Sequence, residues 1–224
     1  MGSARNIKMS MHVSELWRYP IKSMKGEPLQ ETAITPLGIP GDREIVVVRS
    51  STGRIWTSRS QPAFLGLRGQ LNGSGAPTVN GVPWDSPEAQ RLVDKAAGEP
   101  TRLVRVPGPE RFDVLPLLVA TDGAVQYLDI DRRRLRPNIV IAGVEGLAER
   151  AWPGRIMAIG DVRIRAEKLR DRCVMTTYDP DTLERDPSVL LRIVKQLDGC
   201  TALDSSVIAG GTIRVGDAVE IVER

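Results

Sequence analysis

Short β-rich runs separated by glycine and proline turns constrain the fold of this chain more than any other feature. The turns stand out at "TPLGIPGDRE", "SSTGR" and "LNGSGAPTVNGVP", and runs punctuated in this way are typical of β-barrels and curled sheets. The 224 residues are 41% apolar, which is enough to fill the core of one large domain or two small ones. We therefore predict a folded, mainly β protein of the α+β class.

Three segments carry helix signals, namely a capping residue at the start and a run of apolar residues behind it. In the third, the residues Val189, Leu190, Ile193, Val194 and Leu197 form one apolar stripe, which we expect in the core. The predicted helices run from Ser86 and Pro87 to Gly98, from Thr121 or Asp122 through Leu128, and from Asp186 and Pro187 to Gly199.

The first helix is expected to close an N-terminal β-unit, with a domain boundary near residues 83 to 100. Two later segments, "AIGDVRIRAE" and "RVGDAVEIVE", share a Gly-Asp pair between apolar strand ends, and we interpret both pairs as tight turns in a second β-rich unit. No low-complexity linker separates the units, so they should pack closely. The predicted domains are residues 11–95 and 96–224.

Charge and cysteine content narrow the possible partners. The chain has 31 Lys and Arg against 28 Asp and Glu, scattered along it, which weakly favours anionic ligands and favours nucleic acid still less. No stretch reaches the roughly 20 apolar residues that would span a bilayer, and the first ten residues lack the apolar core of a signal peptide. With two cysteines only, a reducing, cytoplasmic location is expected, with no membrane or nucleic-acid partner.

Most common catalytic signatures are missing from the sequence. His12 is the single histidine, which excludes Ser-His-Asp and Cys-His machinery unless that residue serves. Two cysteines without a second histidine make a poor zinc site. No glycine-rich loop matches the dinucleotide or P-loop pattern.

Three stretches mix cations with turn residues and are candidate anion sites. If they converge, Arg supplies a fixed fork, Lys a point charge and Ser a short donor for a phosphate; taken singly, each can be a solvated loop charge. "DRRRLR" could also be a nucleic-acid patch, although it lacks interleaved aromatic residues. The candidates are Lys22 and Ser23 in "RYPIKSMKG", Arg43 in "GIPGDRE", Arg59 in "TSRSQP", and Arg136 and Asn138 in "RRRLRPNIVI".

Cys173 lies among basic residues in "RAEKLRDRCVMTTYDPD". Lys168, Arg170 and Arg172 should favour its ionised form, with Asp171 partly opposing them. By itself, a lone cysteine in a cytoplasmic protein is more often an inert core thiol. Asp179 is expected to shape the turn that follows.

Six motifs occur in the order seen in one known family: "YPIKS", "GDRE", "RPNIVI", "IGDVRI", "RCVMTTYDPDT" and "TIRVGDAVEI". In these the chain resembles MOSC-domain proteins with an N-terminal MOSC β-barrel, which are molybdenum-cofactor enzymes related to the mitochondrial amidoxime-reducing component and its bacterial counterparts. The resemblance covers about residues 12 to 222. It implies an N-terminal β-barrel-like domain packed on a MOSC β-barrel domain with a few helices.

The resemblance also implies a site. Cys173 would be the thiolate bound to molybdenum in a cofactor with one molybdopterin, a soft ligand for a thiophilic metal. Around it, the resemblance places groups for the cofactor's phosphate and pterin ends. These are Lys22, Ser23 and Arg43 for the phosphate, Arg136 and Asn138 for the pterin, Thr121 near the cofactor, and Arg59 as either a cofactor contact or a structural residue.

The implied reaction is removal of oxygen from a small N-hydroxylated substrate, with two electrons and two protons consumed. No flavin, haem or iron–sulfur motif is present, so a separate reductase or electron carrier is expected. Two alternatives stay open: a cofactor or sulfur transfer protein in cofactor maturation, although the chain has no pyridoxal-phosphate domain, and a cofactor carrier without turnover. The segment "VPGPERFDVL" is shorter than expected for the substrate-side loop, and Cys200 is expected to be a buried or neutral thiol.

Overall fold

The computed structural model describes residues 10–223, which contain fifteen strands and three α-helices joined by turns, loops and short 3₁₀ helices. The predicted mainly β fold is confirmed. The strands are β1 (His12–Arg18), β2 (Glu27–Leu29), β3 (Glu31–Ile34), β4 (Ile45–Arg49), β5 (Gly69–Leu71), β6 (Pro77–Val79), β7 (Val82–Pro83), β8 (Thr101–Arg105), β9 (Leu117–Thr121), β10 (Ile139–Ala142), β11 (Ile156–Ile159), β12 (Val162–Asp171), β13 (Cys200–Ala209), β14 (Gly211–Arg214) and β15 (Glu220–Val222). The helices are α1 (Pro87–Ala97), α2 (Asp122–Leu128) and α3 (Pro187–Leu197).

An eight-stranded mixed sheet dominates the molecule, in the order β15-β11-β12-β13-β9-β10-β1-β2. Only the β9–β10 pair is parallel among its neighbours. His12 at the start of β1 forms an antiparallel bridge with Ala218, and the Val13 amide donates to the carbonyl of Asp217 at 2.9 Å. The sheet therefore curls towards closure, but its regular strand pairing stays open, so it is barrel-like without being a closed barrel.

The N-terminal half builds a second core of its own. Antiparallel pairing joins β4 to β8, and β5, β6 and β7 form a small sheet. Ile45, Phe64 and Val93, the last on α1, are fully buried in this second core. The predicted division between residues 95 and 96 falls inside α1.

Strand pairing links the two halves directly. β1 leaves the N-terminal half to pair with β10, and β3 pairs with β14 near the C-terminus. The larger core lies inside the eight-stranded sheet, with Leu16, Ile164 and Leu203 almost completely buried. The two halves therefore share backbone hydrogen bonds as well as side-chain contacts.

The helix starts agree with their predicted caps. Ser86 Oγ accepts from the Ala89 amide at 3.1 Å, Thr121 Oγ1 from the Ala124 amide at 3.2 Å, and an Asp186 carboxylate oxygen from the Ser188 amide at 2.9 Å. Each bond satisfies an amide that the helix itself cannot pair.

The predicted end of α3 and part of its stripe were wrong. The helix ends at Leu197, and both Asp198 and Gly199 have left-handed backbones, at φ 54° and φ 79°. An aspartate tolerates this conformation better than most residues with a Cβ, so the helix stops one residue before the predicted glycine. Val194, placed in the core by its spacing, is 51% exposed, so the buried stripe is narrower than predicted.

The two Gly-Asp turns differ in whether the strands that they connect pair with each other. Gly160 and Asp161 join β11 to β12 as a two-residue hairpin, with Ile159 paired to Val162. Gly216 and Asp217 connect β14 to β15, but these strands pair with β3 and β11 respectively. The second turn thus moves the chain between sheets.

Within residues 10–223, no helix combines the length and the apolar character that crossing a bilayer requires.

Candidate functional site

A cationic cavity surrounds Cys173 where the two halves meet. We call it the cysteine cavity; its volume is about 80 Å³. Seven of its lining residues are Lys or Arg and two are Asp, so it attracts anions. It is lined by Lys22, Ser23, Arg43, Arg59, Asp113, Leu118, Arg134, Leu135, Arg136, Arg170, Asp171, Arg172, Cys173 and Met175.

Most residues predicted for the site meet in this cavity, although they are distant in sequence. Lys22, Ser23, Arg43, Arg59 and Arg136 all line it together with Cys173. Three separate stretches therefore converge, as the anion-site hypothesis requires. Their roles as cofactor ligands stay predictions.

Asn138 lies next to the cysteine cavity, in a smaller cavity of about 40 Å³ that shares Arg43, Asp113, Leu118 and Arg170 with it. Its side chain is fully buried and already bonded. Oδ1 accepts from Arg43 Nη1 and from the Leu118 amide, both at 3.2 Å, and Nδ2 donates to the Trp17 carbonyl at 3.3 Å. Asn138 therefore ties Arg43 to β9 and β1.

Thr121 is not brought to any of these cavities. It is completely buried at the end of β9, and its hydroxyl caps α2. Its hydroxyl therefore serves the fold.

Cys173 follows the end of β12 and precedes a 3₁₀ turn at Val174–Thr177. The two threonines after it hold this turn. Thr176 Oγ1 donates to the Cys173 carbonyl at 2.9 Å, and Thr177 Oγ1 to the Val174 carbonyl at 2.7 Å. Both threonines are buried and Cys173 is partly exposed, so the turn presents the thiol at the cavity.

Two arginines near the thiol lack a carboxylate partner. Arg172 Nη2 donates to the Leu135 carbonyl at 2.9 Å, while its Nε is buried without a hydrogen bond among the described residues. The Arg136 guanidinium lies 4.4 Å from the centre of the Tyr19 ring. Burial lowers the pKa of each arginine to about 10, so both stay cationic at neutral pH. An unpaired, desolvated cation favours an anionic ligand.

Asp113 is a site residue that sequence reasoning missed. Its Oδ1 lies 2.8 Å from Lys22 Nζ, and its Oδ2 lies 3.2 Å from Arg59 Nη2 and 3.5 Å from Arg170 Nη2. Burial acts to raise the pKa of Asp113, but the Lys22 hydrogen bond and the three positive charges hold it below its usual value. In the sequence, the segment "VPGPERFDVL" stands out only by its length, and Asp113 follows Glu110 and Arg111 there without a pattern of its own.

Three residues of the cysteine cavity have left-handed backbones. Ser23 has φ 74°, and Arg43 and Arg136 have φ 56°, a conformation that costs energy for residues with a Cβ. The Ser23 hydroxyl accepts from the Ser58 amide at 3.0 Å, and Arg43 contacts the fully buried Asp42 carboxylate. These bonds hold both residues at the cavity wall.

The donor set fits a cofactor that brings its own metal ligands and an anionic group. No cluster of three or more His, Cys, Asp and Glu residues that could hold a bare metal ion occurs in residues 10–223. The cavity instead offers one thiol, which suits a soft metal, and cations with unused donors, which suit a phosphate.

Three other residues singled out in the sequence, Cys200, His12 and Asp179, do not line the cysteine cavity. Cys200 is partly exposed rather than buried, and its Sγ lies 3.3 Å from an Asp171 carboxylate oxygen. Burial and this carboxylate raise the pKa of Cys200, so its thiol is neutral. His12 Nδ1 pairs with the Ser10 carbonyl at 3.1 Å and lines none of these cavities. Asp179 accepts from the amides of residues 181 and 182, which confirms its role in the turn.

A larger cavity adjoins the cysteine cavity. We call it the aromatic cavity; its volume is about 280 Å³, and it shares Arg134, Arg136 and Met175 with the cysteine cavity. It is lined by Trp17, Tyr19, Lys25, Gly26, Pro28, Leu65, Arg68, Arg133, Arg134, Arg136, Met175, Tyr178, Pro180 and Asp181.

The class of this protein follows from its curled mixed sheet and smaller β-unit, and from Cys173, which lies among cations where the two meet. The model of the MOSC domain matches residues 118–220, and that of the MOSC N-terminal beta barrel domain matches residues 10–108. The chain is a MOSC-domain protein that also carries the MOSC N-terminal β-barrel domain, as its six motifs predicted.

Similar proteins match this chain over nearly its whole length. Human mitochondrial amidoxime-reducing component 1 is 26% identical, covering 94% of this chain and 82% of the relative. Human mitochondrial amidoxime reducing component 2 is 25% identical, covering 96% and 84%. Among solved structures, the YUAD protein from Bacillus subtilis superposes with a TM-score of 0.53 at 13% identity, covering 96% of this chain and 97% of that one; this similarity supports the fold.

Proposed function

We propose that this protein is a molybdenum-cofactor-dependent reductase that removes oxygen from small N-hydroxylated compounds. The observation that carries the proposal is the convergence of cations from three distant stretches around the single thiol of Cys173. The full-length similarity to two proteins named as amidoxime-reducing components supports the same reaction class. A net reaction of this kind converts an N–OH group to N–H and water, with two electrons and two protons consumed.

The residues of the cysteine cavity would hold the cofactor. When bound, it would supply the two-electron chemistry of the reduction. Cys173 would supply a thiolate to its metal, and Lys22, Arg43, Arg136 and Arg172 would bind its anionic part. The turn fixed by Thr176 and Thr177 orients the thiol, and a preorganised ligand costs less to bind.

Asp113 would set the spacing of the cations. One carboxylate that contacts Lys22, Arg59 and Arg170 holds three mutually repelling charges at one wall. The cavity then faces its ligand with fixed donors instead of mobile side chains.

Electrons would come from a separate protein or carrier. The chain shows no nicotinamide, flavin, haem or iron–sulfur motif of its own, and Cys173 is partly exposed. A donor could therefore approach the metal without a channel through the fold.

The test uses purified protein loaded with the molybdenum cofactor, reduced viologen as chemical donor and benzamidoxime as substrate. We expect viologen oxidation that depends on substrate, and none with NADH or NADPH as the only donor. If metal-replete protein oxidises no viologen with amidoximes, hydroxylamines, N-oxides or sulfoxides, yet passes cofactor or sulfur to another enzyme, it is a transfer protein and the reductase proposal is wrong.

A further inference from the structure

The aromatic cavity has the size and walls of a small-molecule site. Its volume of about 280 Å³ lies just below the range for ligand pockets, about 300–1,000 Å³. Trp17 and Tyr178 supply aromatic surface, with Leu65 and Met175 beside them. Tyr19 also lines the cavity but is almost completely buried, with the Arg136 guanidinium 4.4 Å from its ring centre. Such walls favour a flat, apolar or aromatic ligand.

Two of the aromatic rings are held in place. Trp17 Nε1 donates to Glu15 Oε2 at 2.7 Å, and the Tyr19 hydroxyl donates to the Pro137 carbonyl at 3.1 Å. Their polar atoms are thus satisfied by the protein, and the rings need no rearrangement to receive a ligand.

Cations outnumber carboxylates in this cavity by five to one. Asp181, the single carboxylate, is already bonded to Arg133, and Arg134 is bonded to Asp179. The side chains of Lys25, Arg68 and Arg136 make no hydrogen bond or ion pair with any residue in the described part of the chain. The first two are also neighbours, since a β-bridge pairs Lys25 with Arg68. Like charges opposite one another are destabilising, and a bound anion would relieve that repulsion.

The aromatic cavity adjoins the cysteine cavity. Arg134, Arg136 and Met175 line both, and Met175 is two residues from Cys173. A ligand in the aromatic cavity is therefore adjacent to any group that Cys173 holds.

From these observations we propose that the aromatic cavity is the substrate site and selects aromatic N-hydroxylated compounds that carry an anionic group, carboxylate or phosphate. The rings contact the flat part of the substrate, and Lys25 and Arg68 bind its anion. The proposal rests on the reductase function for the N-hydroxyl part of the substrate, while the aromatic and anionic parts follow from the cavity itself.

The test is a binding titration with three matched probes: benzamidoxime, its para-carboxylate and its para-trimethylammonium derivative. Affinity is measured by calorimetry and by quenching of tryptophan fluorescence, with cofactor-free and with cofactor-loaded protein. We expect the carboxylate to bind at least about tenfold more tightly than the neutral probe, and the cation to bind most weakly. N-hydroxyadenosine and its 5′-phosphate, compared in the same way, separate phosphate from carboxylate selection.

Charge-neutral variants locate the preference. In Lys25→Gln and Arg68→Gln, the advantage of the carboxylate probe should fall at least about threefold each, and benzamidoxime binding should stay the same. Lys95→Gln is the matched control, because Lys95 is an exposed lysine on α1 whose side chain makes no hydrogen bond or ion pair in the described part of the chain. It should bind all three probes as the unmodified protein does.

Several outcomes would overturn the assignment of the cavity: equal affinity for all probes, a carboxylate preference that both glutamine variants retain, or probe binding that cofactor loading abolishes. The last result would mean that the cofactor itself fills the aromatic cavity. Selective probe binding without turnover would leave the cavity assignment standing and count against the reductase function. Turnover without anion selectivity would support the reductase function and count against the cavity assignment.

Discussion

At the scale of single residues, Cys173 is set apart from Cys200 by its surroundings. Cys173 faces a cationic cavity, whereas Cys200 lies beside the Asp171 carboxylate and has a raised pKa. We predict that Cys173→Ser abolishes nearly all activity because a hydroxyl is a poor ligand for a thiophilic metal. Cys200→Ser should retain activity. Molybdenum content and viologen oxidation per folded protein check both variants, and equal turnover by Cys173→Ser would contradict the assignment.

Arg136 offers a cleaner test of the anion site than its neighbours. Its guanidinium makes no hydrogen bond or ion pair within residues 10–223, so removing it leaves no buried partner unpaired. We predict that Arg136→Ala weakens the affinity for the cofactor by about 10–100-fold and so lowers its occupancy, because charge-assisted bonds are worth on the order of 1.5–3 kcal/mol. The unfolding midpoint of the cofactor-free protein should change little. Pterin fluorescence after oxidative release measures occupancy. Unchanged occupancy would mean that Arg136 does not contact the cofactor.

Asp113 should make stability depend on acidic pH. Its pKa is depressed in the folded protein, so its contribution is present above the ordinary aspartate pKa of about 4 and is lost as the pH falls through the lower, folded value. We predict that Asp113→Asn is less stable than the unmodified, cofactor-free protein at pH 7 and loses less stability on acidification to about pH 3. Urea unfolding at both pH values measures this.

The control for this experiment is Asp85→Asn. Asp85 is exposed and in no ion pair among the described residues, so its substitution should leave stability nearly unchanged at both pH values. If Asp113→Asn behaves in the same way, the three cations do not depend on Asp113.

The residues of the site differ in how far the sequence could identify them. Lys22, Arg43 and Arg136 lie in recognisable motifs, and all three line the cysteine cavity. Asp113 has no local signal, because its three partners come from segments up to 91 residues away in the chain. The sequence around Thr121 is compatible both with a contact to the cofactor and with a helix cap, and it does not distinguish these two roles.

At the scale of elements, local chemistry predicted the helices better than the sheet. The caps of α1, α2 and α3 act over three residues or fewer, so the sequence reports them directly. The pairing of β1 with β10 and of β3 with β14 depends on which strands meet in space, and no short pattern encodes it. The second Gly-Asp turn was interpreted correctly as a turn, but its strands pair elsewhere.

Gly123 near the start of α2 should not accept a side chain. A Cβ added there would lie 2.2 Å from the Gly146 carbonyl oxygen and 2.5 Å from that of Val144. A Gly→Ala change inside a helix usually stabilises by about 0.5–1 kcal/mol, but here overpacking should destabilise by about 1–3 kcal/mol. Urea unfolding of Gly123→Ala decides the sign. Gly73→Ala is the control, since a Cβ at Gly73 meets nothing within 4 Å, and a stabilised Gly123→Ala would contradict the close approach.

At the scale of the whole molecule, the two cores are joined by β1. This strand belongs to the N-terminal half by sequence and to the eight-stranded sheet by pairing, so unfolding either half removes partners from the other. The cysteine cavity draws its lining from both halves. A ligand bound there should therefore stabilise both together, by about 2.7 kcal/mol at one hundred times its Kd.

We accordingly predict that the two halves unfold as one cooperative unit. Ile45, fully buried in the N-terminal core, provides the probe, because Ile45→Val removes one methylene at a cost of about 0.5–1.5 kcal/mol. Hydrogen exchange read by mass spectrometry should show the same loss of opening free energy for core amides of β12 and β13 as for those of β4. Ile164→Val, in the larger core, should lower the protection of β4 reciprocally. If each substitution weakens only its own half, the shared strand does not couple the two cores, and ligand binding would have to stabilise each half separately.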